Sequence, residues 1–66
     1  MEAHDVKRGT KVIVTDDNVQ VPIGATQINK GDEITILRLD GMYCNGKDKD
    51  GNIIYIAAWT KVDPCL

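Results

Sequence analysis

The chain contains neither phenylalanine nor serine, and its 66 residues include one histidine, one tryptophan, two prolines and two cysteines. Without serine, and with His4 far from both cysteines in sequence, no pairing of a nucleophile with a base is visible. Cys44 and Cys65 do not form a Cys-x-x-Cys pair, and two thiols with one distant histidine do not predict a zinc site. We therefore expect free thiols, no catalytic residues, no metal and no cofactor.

Long apolar runs and an excess of basic charge are also missing. No stretch approaches the roughly 20 apolar residues needed to cross a bilayer, and the polar, acidic segment 1–5 does not resemble a signal peptide. We therefore expect a cytoplasmic protein with no membrane association. The net charge of −2 lacks the basic excess that neutralises nucleic-acid phosphates. The size is typical of bacteriophage or accessory bacterial genes, and a phage-encoded chain would act in the host cytoplasm.

Short β-branched runs separated by turn residues occupy most of the sequence. Valine and isoleucine dominate the apolar residues, and both favour strands. We predict strands at 10–15, at 33–39, from residue 42, at 53–58 and within 59–64, where a short helical turn near the C-terminus precedes the last strand. These elements predict an all-β fold, a small five-stranded antiparallel barrel. The barrel is a single domain over 9–64, preceded by a flexible N-terminal arm, 1–8.

Alternation within the strands predicts which side chains face the core. Val12 and Val14 share one face of the first strand, and Ile34 and Ile36 share one face of the second. The adjacent Ile36 and Leu37 break this alternation and predict either a β-bulge or a twist at which both faces of the strand are covered. The apolar residues of the long segment 19–30 are predicted to cover one end of the barrel; they include Val21, Ile23 and Ile28.

Several short motifs resemble those of Src-homology-3-like barrels of the bacterial and phage type. They are Lys30-Gly31-Asp32, Ile34-Thr35-Ile36-Leu37, Asp40-Gly41-Met42-Tyr43 and Asp50-Gly51-Asn52. The resemblance implies a turn, a strand, an acidic turn and a distal hairpin in that order. It does not extend to the family's peptide-binding role, because the first long loop has no aromatic residue and Met42-Tyr43 stands where paired tryptophans are usual.

Two further resemblances concern other small barrels. The segment from Gly9 to Val14 is similar to the opening strand of barrels in transcription and translation factors, although Asp16-Asp17 replaces the glycine that normally follows. Met42-Tyr43-Cys44 and Ile53-Ile54-Tyr55 resemble strings of type II dihydrofolate reductases, which are tetramers with a shared pore. Ile53 stands where that family has its pore-facing glutamine, so the resemblance implies that the active-site chemistry is lost.

The large side chains are the candidates for partner binding. Met42, Tyr43, Tyr55 and Trp59 either belong to or cover a core that lacks phenylalanine, or they form a partner-binding patch framed by Asp40 and Asp63. On the second interpretation the chain is a small protein-interaction module that binds and modulates a host protein or associates with itself. The alternative is a nucleic-acid-associated barrel that uses four basic residues. These residues are Lys7, Arg8, Lys11 and Lys61.

Overall fold

The computed structural model describes residues 1–65, and five β-strands form a single sheet. The strands are β1 (Lys11–Val14), β2 (Glu33–Asp40), β3 (Tyr43–Asp48), β4 (Ile53–Ala57) and β5 (Val62–Pro64). Every neighbouring pair is antiparallel, in the order β4-β3-β2-β1-β5. The predicted all-β class with five antiparallel strands is therefore confirmed. No ladder joins β4 to β5 within the described residues, so closure of the sheet into a barrel stays a prediction.

The core consists of small and β-branched side chains that alternate along the strands. Val12 and Val14 on β1, and Ile34 and Ile36 on β2, are buried as the alternation predicts. Aromatic residues do not contribute to the buried cluster in residues 1–65. Its members are Ala3, Val12, Val14, Ile28, Ile34, Ile36, Cys44, Ile54, Ile56 and Val62.

A β-bulge lies on β2 at the predicted position. Ile36 pairs with Gly46 of β3, but the next recorded pair joins Arg38 to Asn45, which leaves Leu37 as the extra residue. Gly46 sits under the bulge, where an added Cβ would overlap the Thr35 carbonyl oxygen and stand 3.1 Å from the carbonyl carbon. The close approach of β2 to β3 therefore requires glycine at this position.

The long segment between β1 and β2 covers the sheet only in part. Ile28 is buried and Val21 is half-buried, as predicted, whereas the prediction for Ile23 is wrong because its side chain is fully exposed. The Ala25 N–H donates to the Pro22 carbonyl at 3.0 Å and closes a tight turn. Ile23 is the first central residue of that turn, and its side chain is therefore directed away from the sheet.

The N-terminal residues contact the sheet through backbone hydrogen bonds. A short 3₁₀-helix, Ala3–Asp5, follows Glu2, which pairs with Lys61 as an isolated bridge. The Ala3 N–H donates to the Thr60 carbonyl at 2.8 Å, and the Ala3 side chain is buried in the core. The sequence does not predict these contacts within the segment expected to be a flexible arm, because only Met1, Ala3 and Val6 in it are apolar.

Candidate functional site

The tip of the hairpin between β2 and β3 presents Met42 to solvent. Asp40 pairs with Tyr43, so the loop consists of Gly41 and Met42 alone. Gly41 has a φ of 65°, which two-residue hairpin loops require at their first position and which glycine adopts at the least cost. Met42 occupies the second loop position and is 63% exposed. The turn chemistry thus places a large apolar side chain at a point where no strand neighbour covers it.

A second turn, Ala57–Thr60, places Trp59 beside this hairpin tip. The N–H and the hydroxyl of Thr60 both donate to the Ala57 carbonyl, at 3.0 and 2.7 Å, and Thr60 is buried. The Ala58 N–H donates to the Met42 carbonyl at 2.8 Å and ties the two turns together. The helical turn predicted near the C-terminus is thus a single hydrogen-bonded turn, which leaves Trp59 at its exposed corner.

We name this end of the sheet the Met42–Trp59 surface. Its large apolar side chains are those of Leu39, Met42 and Trp59, which are 56%, 63% and 44% exposed. Leu39 was not among the candidates predicted from the sequence. The Met42–Trp59 surface comprises Leu39, Asp40, Met42, Tyr43 and Trp59, with Leu39 on the face of the hairpin opposite Asp40 and Tyr43.

Acidic residues border the Met42–Trp59 surface, although only one of the two predicted acids is among them. Asp40 belongs to the hairpin itself, whereas Asp63 lies on the edge strand β5, where it pairs with Ile13 of β1. The His4 N–H donates to the Ala58 carbonyl at 2.9 Å and brings the 3₁₀-helix to the Trp59 turn. The His4 ring contacts the carboxylates of Glu2 and Asp5, at 2.7 and 3.2 Å. These two acids were not predicted to border the candidate site.

Tyr55 lies on the outer face of β4, on the face opposite the core. It pairs with Asn45, and Tyr43 on the same face is its diagonal neighbour, within reach of an aromatic side chain. Tyr55 lines a shallow groove with the turn Pro22–Ala25. It is 39% exposed, and Ile53 two residues earlier on the same face is 50% exposed. The core interpretation is therefore wrong for Tyr55, as it is for Met42 and Trp59, while Tyr43 is half-buried.

The four basic residues of the nucleic-acid alternative do not form one patch. Lys7 and Arg8 lie in the turn before β1, and Lys11 stands 3.7 Å from the Glu33 carboxylate. Lys61 is opposite Thr15, four residues from Lys11 along β1, which corresponds to about 13 Å. The Asp16 carboxylate accepts the Lys61 backbone N–H at 3.1 Å, and this bond, with one from the Asn18 N–H, lowers the pKa of Asp16.

Acidic residues also surround a cavity at the end of the sheet that holds the β3–β4 loop. The cavity has a volume of about 250 Å³, and its lining includes Ile28, Asp32, Glu33, Asp48 and Asp50. No group of three or more His, Cys, Asp or Glu side chains within residues 1–65 is placed to hold a metal ion. Two of these carboxylates serve the turns themselves, since Asp32 accepts the Asn29 N–H at 2.8 Å and Asp48 accepts the Asn52 N–H at 2.9 Å.

The Asp48 carboxylate holds the β3–β4 turn in place. It accepts the N–H groups of Asn52 and Asp50 at 2.9 Å each, and these bonds lower the pKa of Asp48, with the Asn52 bond as the largest cause. A carboxyl group whose pKa is lower in the folded than in the unfolded chain stabilises the fold above pH ~4. That contribution disappears as the pH falls through the lowered folded value.

Replacement of Asp48 by asparagine is expected to lower the melting temperature by a few degrees at pH 7. The difference from the wild-type chain should shrink steadily below pH ~4, since the wild-type carboxylate is then protonated as well. Thermal unfolding followed by circular dichroism from pH 2 to 7 measures this. Asp50→Asn is the control, because it removes a charge from the same turn while keeping both bonds to Asp48. A difference for Asp48→Asn that stays constant with pH would contradict this role.

Comparison with models of known protein families, with curated proteins and with solved structures found no match for this chain. No helix within residues 1–65 has the length and apolar character needed to cross a bilayer. Of the two free thiols, Cys44 is buried on β3, and burial raises its pKa, whereas Cys65 is half-buried.

Proposed function

We propose that this chain is a small cytoplasmic protein-interaction module that binds and modulates a larger protein through the Met42–Trp59 surface. The observation that carries the proposal is the exposure of Met42 and Trp59, at 63% and 44%, on two turns that a backbone hydrogen bond joins, while the core is filled without them. Tryptophan is among the residues that dominate binding energy at interfaces. The partner is then a bacterial protein, which is a host protein if the chain is phage-encoded.

The charges near this surface suggest the chemistry of the partner. Asp40 lies on the same hairpin as Met42, and Glu2 and Asp5 contact His4, whose backbone is bonded to the turn that carries Trp59. A complementary surface therefore has an apolar socket with a basic rim. Unpaired Cys44 and Cys65 suit a reducing compartment such as the cytoplasm.

Nucleic acid is the less favoured partner, because the basic residues are dispersed and have acidic neighbours. Lys11 is beside Glu33, and Lys61 is bonded to Asp16 through its backbone. A phosphate backbone approaching either lysine would also approach a carboxylate, which repels it.

Replacement of Trp59 by alanine is expected to weaken partner binding at least about 30-fold, the effect of losing an interface hot spot of ~2 kcal/mol. Immobilised wild-type chain, Trp59→Ala, Met42→Ala and Ile13→Ala are incubated with host extract, and retained proteins are identified by mass spectrometry. The Kd of the purified partner is then measured by calorimetry. Ile13→Ala is the matched control, since Ile13 is exposed on β1.

Two results would contradict this proposal. One is a partner that binds Trp59→Ala and Met42→Ala as tightly as the wild-type chain. The other is binding only to nucleic acid, with an affinity that falls steeply as salt rises in gel-shift titrations. Urea denaturation of each variant shows whether the fold is retained, which the exposure of both side chains leads us to expect.

A further inference from the structure

The two edge strands of the sheet differ in how their outer backbone groups are satisfied. On β5, the Val62 N–H donates to the Met1 carbonyl at 2.9 Å, and Pro64 has no N–H to offer. The Ala3 N–H donates to the Thr60 carbonyl just before this strand. Residues 1–3 and a proline thus protect the β5 edge, as edge strands usually require.

The outer edge of β4 is protected at one end only. The Ala57 N–H donates outward to the Gln20 carbonyl at 2.9 Å. Because hydrogen-bonding direction alternates along an antiparallel strand, the N–H and carbonyl groups of Ile53 and Tyr55 also face outward. No hydrogen-bond partner for these four groups exists within residues 1–65. Their side chains are uncharged and half-exposed, so this part of β4 itself contains none of the charges and prolines that block strand addition, although the turn Pro22–Ala25 lies beside Tyr55.

We propose that a second copy of this chain pairs with the open β4 edge, antiparallel and about a two-fold axis through Ile54. In this register Ile53 of each copy stands opposite Tyr55 of the other. Each of the two pairs exchanges two backbone hydrogen bonds, and together they use all four outward groups of both strands. The result is one continuous sheet across two copies. This inference concerns a different surface from Met42 and Trp59, and it does not rest on the proposed function.

The occupant is a second copy because the open stretch complements itself. It is only two hydrogen-bonding residues long, and it ends where Gln20 occupies Ala57, so a longer added strand would be interrupted there. A twin strand offers the same two residues in reverse order, which matches that length. The net charge of −2 also opposes self-association only weakly.

The outer-face side chains fit the same register. An isoleucine placed opposite a tyrosine is a favourable cross-strand pair, and the two-fold axis forms this pair twice. The groove that Tyr55 lines with the turn Pro22–Ala25 adjoins the position that Ile53 of the second copy takes. Pairing of the two edges would thus cover apolar surface that the single chain leaves open to water.

A charge-complementation experiment tests the register. Wild-type chain, Ile53→Lys, Tyr55→Glu and the control Ile13→Lys are studied by sedimentation equilibrium from 10 μM to 1 mM. The wild-type chain and Ile13→Lys should dimerise, whereas Ile53→Lys and Tyr55→Glu should each dimerise at least about tenfold more weakly. An equimolar mixture of the two weakened variants should recover association, since the introduced lysine then faces the introduced glutamate. Ile13→Lys keeps its charge on β1, away from the β4 edge.

Amide hydrogen exchange provides a second measurement that does not depend on substitutions. The Ile53 and Tyr55 amides should exchange more slowly as the concentration rises, while the inward-bonded amides of Ile54 and Ile56 should not change. A wild-type chain that is monomeric at 1 mM would overturn the proposal. So would a dimer that Ile53→Lys and Tyr55→Glu leave intact, or protection of the edge that appears only when an unrelated extended peptide is added.

Discussion

Replacement of Gly46 by alanine is expected to destabilise the fold by about 3 kcal/mol or more, at the upper end of overpacking effects. The new methyl group would overlap the Thr35 carbonyl oxygen, which is backbone and cannot rotate away. To remove this overlap, β2 must move away from β3 in the core, at the point where Gly46 pairs with Ile36 of β2 and with Ile54 of β4. A chain of this size has a total stability of roughly 5 kcal/mol, so most of it would be lost.

Urea denaturation followed by tryptophan fluorescence gives this free energy, with Gly41→Ala as the control. Gly41 also carries no side chain, but an added Cβ there meets nothing within 4 Å. Its cost comes only from the positive φ of 65° and is expected to be about 1 kcal/mol. Equal losses for the two variants would show that β2 and β3 can separate freely at the bulge.

Replacement of Ile54 by alanine is expected to cost about 2 to 5 kcal/mol, whereas the same change at Ile53 should cost about 1 kcal/mol or less. The two residues are adjacent on β4, but Ile54 is fully buried and Ile53 is 50% exposed. Ile54 faces the core beside Gly46, which has no side chain to move into the space left behind. The cavity would therefore remain largely open.

The comparison of Ile54→Ala with Ile53→Ala is made by chemical denaturation at one protein concentration. That concentration should lie well below the onset of self-association, so that Ile53→Ala reports on folding alone. Equal destabilisation by the two variants would contradict the assignment of the inner and outer faces of β4. It would also contradict the outward direction of the Ile53 side chain, on which the pairing of two copies rests.

The strands and their inner faces were predictable because they depend on local patterns. The alternation of Val12 and Val14 identifies the core face of β1, since side chains on a strand alternate with a period of two. The neighbouring Ile36 and Leu37 break the same rule, which predicted a bulge or a twist there, and the structure has the bulge. Turn chemistry predicts a hairpin turn at Asp40-Gly41 with a strand from Met42, whereas the loop is Gly41-Met42 and β3 begins one residue later, at Tyr43.

The composition of the candidate site was not predictable in the same way. Large apolar residues are equally consistent with a core and with a surface, and here isoleucine and valine fill the core without Met42 or Trp59. Glu2 and Asp5 reach the site only because the Ala3 amide bonds to Thr60, a contact between residues far apart in sequence. No local pattern encodes such a contact, and the exposed position of Ile23 equally depends on how its turn lies against β4.

The hydrogen bond between Met1 and Val62 also bears on whether the order of the strands along the chain can be changed. The first residues lie along the β5 edge, so the two ends of the domain are neighbours in space. A linker of a few residues could join Cys65 to Met1, and the exposed turn at Gly24 offers a place for new termini. The sheet then keeps every strand neighbour while the order of its strands along the chain changes. The arrangement of strands in this sheet therefore does not depend on the order in which the chain connects them.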